Sequence, residues 1–145
     1  MKKDLIPEII CFLFILLFVY ASLMKLRDVP QFVAQLQQSP LLLPFATWVA
    51  WVIPSFELIV VALLVVRRFR LIGLIASFSL MSMFTVYIII ILNFAEHVPC
   101  SCGGILSKMG WTQHLIFNIF FVLLALVGIY LIGKAPEKTQ AALAV

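Results

Sequence analysis

Residues 71–94, LIGLIASFSLMSMFTVYIIIILNF, carry no charged side chain. The run exceeds the ~20 residues that a helix needs to cross a hydrocarbon core about 30 Å thick, so it predicts a transmembrane helix. Working outward, comparable apolar runs occupy about 5–26, 45–66 and 112–133. With 65% hydrophobic and 11% charged residues in 145, the chain lies far from the composition of soluble domains, and the spans leave no room for one. The expected architecture is an all-α integral membrane protein, a single domain over 1–145 built as a four-transmembrane-helix bundle in the lipid bilayer. Its formal charge of +4 is spread over the loops and gathers in no patch, which excludes nucleic acid as a partner.

The placement of lysine and arginine predicts the orientation. Lys2, Lys3, Arg67, Arg68, Arg70, Lys134 and Lys138 share one side of a four-span bundle, against Lys25, Arg27 and Lys108 on the other. Both termini and the Arg67-Arg68-Phe69-Arg70 turn are therefore expected in the cytoplasm, with the protein multi-pass in an inner membrane. The loop between spans three and four then faces outward, into a periplasm if the source has one. Lys2 and Lys3 ahead of an apolar run also fit a secretory leader, with Val19-Tyr20-Ala21 as a weak cleavage site. The run is long for such a leader, and a retained first span is expected.

Pro7 and Glu8 suit the first turn of span one. Cys11 lies sixteen residues before Arg27, about 24 Å along a helix, too far from the outer loop for a disulfide, and it reads as a small buried hydrophobe. Beyond Arg27, Asp28 and Gln31 have the spacing of a capping box with Pro30 in the first turn. Phe32, Val33 and Leu36 alternate with glutamines in the manner of a short interfacial helix between spans one and two, a lid on the outer face. Trp48 and Trp51 belong to an interfacial aromatic belt, and Pro54 is expected to interrupt the second span. Glu57 follows well inside the apolar block. A carboxylate at that depth is either a functional group or one half of a structural ion pair, for which Lys25 is the partner within reach.

Ser79, Ser82 and Thr85 on span three have the spacing of small hydroxyl residues that pack helices together. Thr112 is a good N-cap for span four, with Trp111 in the interface. His114 and Asn118 share one face of that span and Ala125 and Gly128 continue it as small residues suited to close packing. The polar pair at the top either lines a site or bonds across to neighbouring helices.

Between spans three and four lies His97-Val98-Pro99-Cys100-Ser101-Cys102-Gly103-Gly104. Two thiols one residue apart mean reversible disulfide chemistry or soft-metal binding, and an oxidising compartment favours the first. A disulfide across so small a ring is strained, and strained exposed disulfides are the oxidising ones, suited to passing oxidation on. Lys108, the N-terminal end of span four and a protonated His97 or His114 would each lower a thiol pKa there.

Ala21-Ser22-Leu23-Met24-Lys25-Leu26 closing span one, Pro54-Ser55-Phe56-Glu57-Leu58 in span two, and the CxC-Gly-Gly loop before Trp111-Thr112-Gln113-His114 together resemble the MauE branch of the DoxX-like redox-associated membrane proteins. The resemblance covers about residues 9–131, and its most specific part is 100–118. It implies a part in disulfide formation or thiol handling in the periplasm beside a thioredoxin-like partner, and the wider group adds quinone-linked sulfur oxidation.

The leading expectation is a thiol-disulfide redox protein that exchanges disulfides at Cys100 and Cys102, supported by His97, Glu57, His114, Asn118 and Lys25, with quinone as a candidate cofactor near His114, Asn118 and Glu57. Transfer to the cytoplasm would need a second thiol pair, and Cys11 is alone. One alternative is a copper or zinc site built from His97, Cys100, Cys102, Met109 and His114. Another is a structural accessory subunit whose loop disulfide only braces the fold.

Overall fold

The computed structural model describes residues 2–94 and 110–134, with side chains from residue 5 onward. The order is α1 (Lys2–Arg27), α2 (Val29–Gln37), α3 (Ala46–Val65), α4 (Arg70–Phe94) and α5 (Trp111–Gly133), and no strand occurs among the described residues. Four of these helices carry segments long and apolar enough to cross a membrane: Leu5–Arg27, Leu43–Val65, Arg67–Phe94 and Trp111–Gly133. The chain is thus an all-α membrane bundle. In lipid the backbone must satisfy its own hydrogen bonds, and continuous helices do so without leaving a gap.

That constraint explains two departures from expectation. Pro54 does not interrupt α3, which runs unbroken through it. Proline forfeits one backbone hydrogen bond, whereas ending the helix in hydrocarbon would strand several. Likewise α1 begins at Lys2 and holds Pro7 inside it, so the helix starts earlier than Pro7 and Glu8 suggested.

The α3–α4 connection is a single 3-10 turn, Arg67–Phe69. Glu8 of α1 pairs with Arg67 and accepts a hydrogen bond from Arg70, each at 3.4 Å, and the Arg70 Nε also donates to the Leu64 carbonyl at the end of α3. Next to this cluster the helices approach closely. A Cβ on Gly73 would lie 2.9 Å from Leu64 Cδ2 and 3.1 Å from the Leu64 backbone nitrogen, and one on Gly128 would lie 3.1 Å from Ile10 Cγ2 and from Leu74 Cδ1. Ile10, Cys11, Phe14, Val60, Leu64, Leu74, Phe121 and Ala125 fill the space between. Cys11 is a buried free thiol here, as its position in the span implied.

Ser77 is buried and donates to the Gly73 carbonyl at 2.7 Å. The hydroxyls expected to join helices behave otherwise: Ser79 is exposed and donates to Ile75 O, and Thr85 donates to Met81 O. A hydroxyl one turn above a carbonyl of its own helix satisfies itself there without a partner helix.

At the opposite end α2 lies across the bundle. Its N-cap is Asp28, whose Oδ1 accepts from the Gln31 backbone N–H at 3.2 Å, with Pro30 in the first turn as expected. Phe32 and Leu36 face inward and pack with Ala46 and Ala50 of α3. The N-cap of α5 is Gly110 rather than Thr112, and the Gln113 side chain accepts from the Gly110 N–H at 3.2 Å. The long Gln113 amide reaches back from the third helical position and satisfies the backbone N–H of the N-cap residue, the half of a capping box that needs no side chain on the cap itself.

Candidate functional site

The last turn of α1, the middle of α3 and the first turns of α5 converge beneath α2. Lys25, in that last turn of α1, reaches inward and donates from Nζ to Glu57 Oε1 of α3. Glu57 is only 1% exposed. A carboxylate in hydrocarbon needs a counter-charge, and a long lysine stem entering from the helix end can deliver one. The ammonium is also flanked by aromatic faces, 5.2 Å from the Phe84 ring centroid and 5.8 Å from that of Phe32, a placement that favours a cation.

The pair borders a cavity of about 430 Å³. Its walls are mostly apolar, with Leu17, Phe18 and Met24 from α1, Val52 and Ile53 from α3, Met81 and Phe84 from α4, and Phe117 from α5; Phe32 and Leu36 of α2 form the roof. Asn118, 3% exposed, lies seven residues into α5, about 10 Å along the helix. His114 sits one turn above it, its ring stacked on Trp111 at 6.4 Å between centroids.

Three buried polar atoms on this lining have no hydrogen-bond partner among the described residues: Glu57 Oε2, His114 Nδ1 and Asn118 Nδ2. Leaving such an atom unmet costs about 1–3 kcal/mol, so three around one apolar chamber give it unused hydrogen-bonding capacity that a bound polar group could take up. Chemically the set offers a carboxylate acceptor, an amide donor and an imidazole nitrogen able to take either role. A molecule bearing carbonyl or hydroxyl groups would meet this donor and acceptor set, and Glu57, His114 and Asn118 are the residues that would hold a quinone headgroup.

Of the residues singled out from sequence, Lys25, Glu57, His114 and Asn118 are therefore brought to one chamber although they come from three helices. His97, Cys100 and Cys102, and Met109 of the soft-metal alternative, lie outside the described residues. Among the described residues no cluster of three or more histidine, cysteine or acidic side chains could hold a metal ion. Phe84 and Met81 are wall residues that sequence reading missed. A helix apolar all round, like α4, gives no periodic signal to separate an inward face from a lipid-facing one. Phe32 carried a signal, but as the buried face of an interfacial helix rather than as part of a site.

The chamber lies at the end of the bundle where α4 finishes and α5 begins, so the CxC-containing connection, residues 95–109, departs from and returns to that end. No curated protein and no solved structure matches the chain significantly. Residues 3–131 match the family described as methylamine utilisation protein MauE, a match that runs from α1 into the last turn of α5. With four apolar helices long enough to span a bilayer and a family match over most of its length, the chain is a multi-pass membrane protein that belongs to the MauE family.

Proposed function

We propose that this protein is a membrane thiol-disulfide redox protein that exchanges disulfides with a periplasmic thioredoxin-like partner through Cys100 and Cys102. The observation that carries the reading is the chamber: an apolar cavity bordered by three polar atoms without a hydrogen-bond partner among the described residues lies at the end of the bundle to which the CxC connection is tied. In the exchange, a thiolate of one protein attacks a disulfide sulfur of the other. One S–S bond breaks for each that forms, and the pair of electrons stays with the two thiols released. A quinone, when bound, supplies a two-electron, two-proton acceptor or donor within the bilayer. Asn118 Nδ2 would donate to an oxygen of such a head group, Glu57 Oε2 and His114 Nδ1 would accept or return its protons, and Lys25 holds Glu57 in place.

The orientation belongs to the same proposal. Lys25 turns into the bundle, which leaves Arg27 and Lys108 as the basic residues of the CxC end against seven at the other, so the asymmetry grows and favours cytoplasmic termini in an inner membrane. A part in methylamine utilisation rests on the family match alone.

The test is thiol trapping in intact membranes with a membrane-impermeant maleimide. Cys100 and Cys102 are expected to alternate between reduced and oxidised forms and to be labelled from the outer side. A Cys100→Ser or Cys102→Ser variant should capture the partner as a mixed disulfide. A pair that never changes redox state, with partner disulfides maturing normally in both variants, refutes the exchange.

A further inference from the structure

We infer that the chamber is entered sideways from the hydrocarbon, through a slot between α3 and α4, by a single-tailed amphiphile whose head both donates and accepts hydrogen bonds, the class to which quinols belong. The inference deepens the carrier part of the function proposed above and rests on it.

The water-facing end is roofed. Phe32 and Leu36 of α2 are buried against Ala46 and Ala50, while Asp28 and Gln31 at the start of α2 line the chamber and are exposed, so any gap on that side is rimmed by polar groups and not by the apolar surface a lipid tail needs. The sides of the bundle differ from one another. α3 and α4 are pinned together at the turn end, where Gly73 leaves no room for a methyl group against Leu64. Toward the other end the chamber lining includes Val52 of α3 and Met83 of α4. These residues line the chamber and yet are 55% and 50% exposed. A side chain that is both chamber wall and outer surface marks an opening. Val52 and Met83 lie within membrane-spanning segments, so the opening faces lipid. Across the bundle, the lining residues Leu17 of α1 and Phe117 of α5 are only part-exposed, and that side is better closed.

The chemistry of the chamber then fixes how such a molecule lies. Glu57 Oε2 requires a donor and Asn118 Nδ2 an acceptor, and both sit on the inner wall. The mouth offers only aliphatic and thioether surface. The head therefore goes in toward Glu57 and Asn118, while the tail stays in the slot and continues into the bilayer. No charged group has to cross hydrocarbon on entry, which keeps the path cheap for a lipid-soluble ligand and costly for an ionic one.

The experiment uses the full-length protein in phosphatidylcholine nanodiscs and a decyl-tailed benzoquinol, kept reduced under anaerobic conditions and carrying a photoreactive azide, placed in one probe at the tail end and in another on the ring. Labelling competed away by unlabelled decyl-benzoquinol is mapped by peptide mass spectrometry. The tail probe is expected on the peptides around Val52 and Met83, and the ring probe on the peptide containing His114 and Asn118. Val52→Trp and Met83→Trp should reduce the competed labelling at least tenfold, whereas Ile59→Trp and Ile72→Trp, which face outward elsewhere on α3 and α4, should leave it unchanged. Competed tail labelling confined to α2 or to α1 and α5 overturns the slot and leaves the carrier reading standing. Labelling that cannot be competed, partition into the bilayer only, overturns both. In that event the redox cycling of Cys100 and Cys102, read separately by trapping, decides whether thiol exchange survives without a carrier.

Discussion

The two ends of this bundle are made from the same apolar residue types and handle polarity in opposite ways. At the turn end, glycines bring helices to contact distance, Ser77 bonds to its own helix, and the ions of Glu8, Arg67 and Arg70 sit together at the rim. At the roofed end, a carboxylate, an imidazole and an amide each keep a buried atom without a partner among the described residues, around about 430 Å³ of space. Apolar composition alone therefore does not say whether a membrane bundle is filled or hollow. What differs is where the polar groups point: along their own helix at one end, toward a shared interior at the other. The contrast predicts that substitutions at the first end cost stability, whereas some at the second cost function and little else.

The sharpest challenge to that contrast is the ion pair, because it lies in the hollow end and yet holds the fold. Lys25→Leu or Glu57→Leu alone strands a buried charge and is expected to cost about 3 kcal/mol or more. The double substitution should return to within about 1 kcal/mol of wild type, since two matched apolar side chains need no counter-charge. Unfolding in mixed micelles titrated with dodecyl sulfate measures all three. Equal losses in the single and double variants would show that the pair is not coupled.

Next in size is the packed end. Gly73→Ala forces a methyl group against the Leu64 side chain and backbone and is expected to cost about 1–3 kcal/mol in the same titration. Gly128→Ala meets only side-chain atoms of Ile10 and Leu74, which can shift, and should cost less than Gly73→Ala. The reverse order would contradict the close approach of α3 and α4.

A smaller effect on stability, and the most telling, is expected from Asn118→Leu. It removes an unmet donor from an apolar chamber, so stability should be unchanged or rise by up to about 1 kcal/mol, while competed labelling by the ring-azide quinol probe falls at least tenfold. A loss as large as that of Gly73→Ala would make Asn118 a packing residue and erase the difference between the two ends. Smallest of all, Ser79→Ala should change stability by less than about 0.5 kcal/mol, because the exposed hydroxyl bonds only to its own helix.

Much of this molecule is legible in its sequence. Uncharged runs longer than a bilayer is thick specify helices through simple arithmetic, and Asp28, Pro30 and Gln31 specify where α2 begins because capping is a local matter of a few atoms. Glu57 and the His114–Asn118 face declare themselves as polar residues where hydrocarbon penalises polarity. The cysteine pair and its chemistry are likewise read from residue types and spacing, and lie outside the described residues. Tertiary structure alone decided that Pro54 bends no helix to breaking and that Ser79 faces out while Ser77 faces in, and between the two readings the sequence offered for Glu57 it supplied the ion pair with Lys25. It alone left a chamber beneath α2 instead of a filled core. The physical reason is common to these cases: in a chain apolar on every side, sequence says what must be buried from water but not which face meets protein and which meets lipid, and only packing makes that choice.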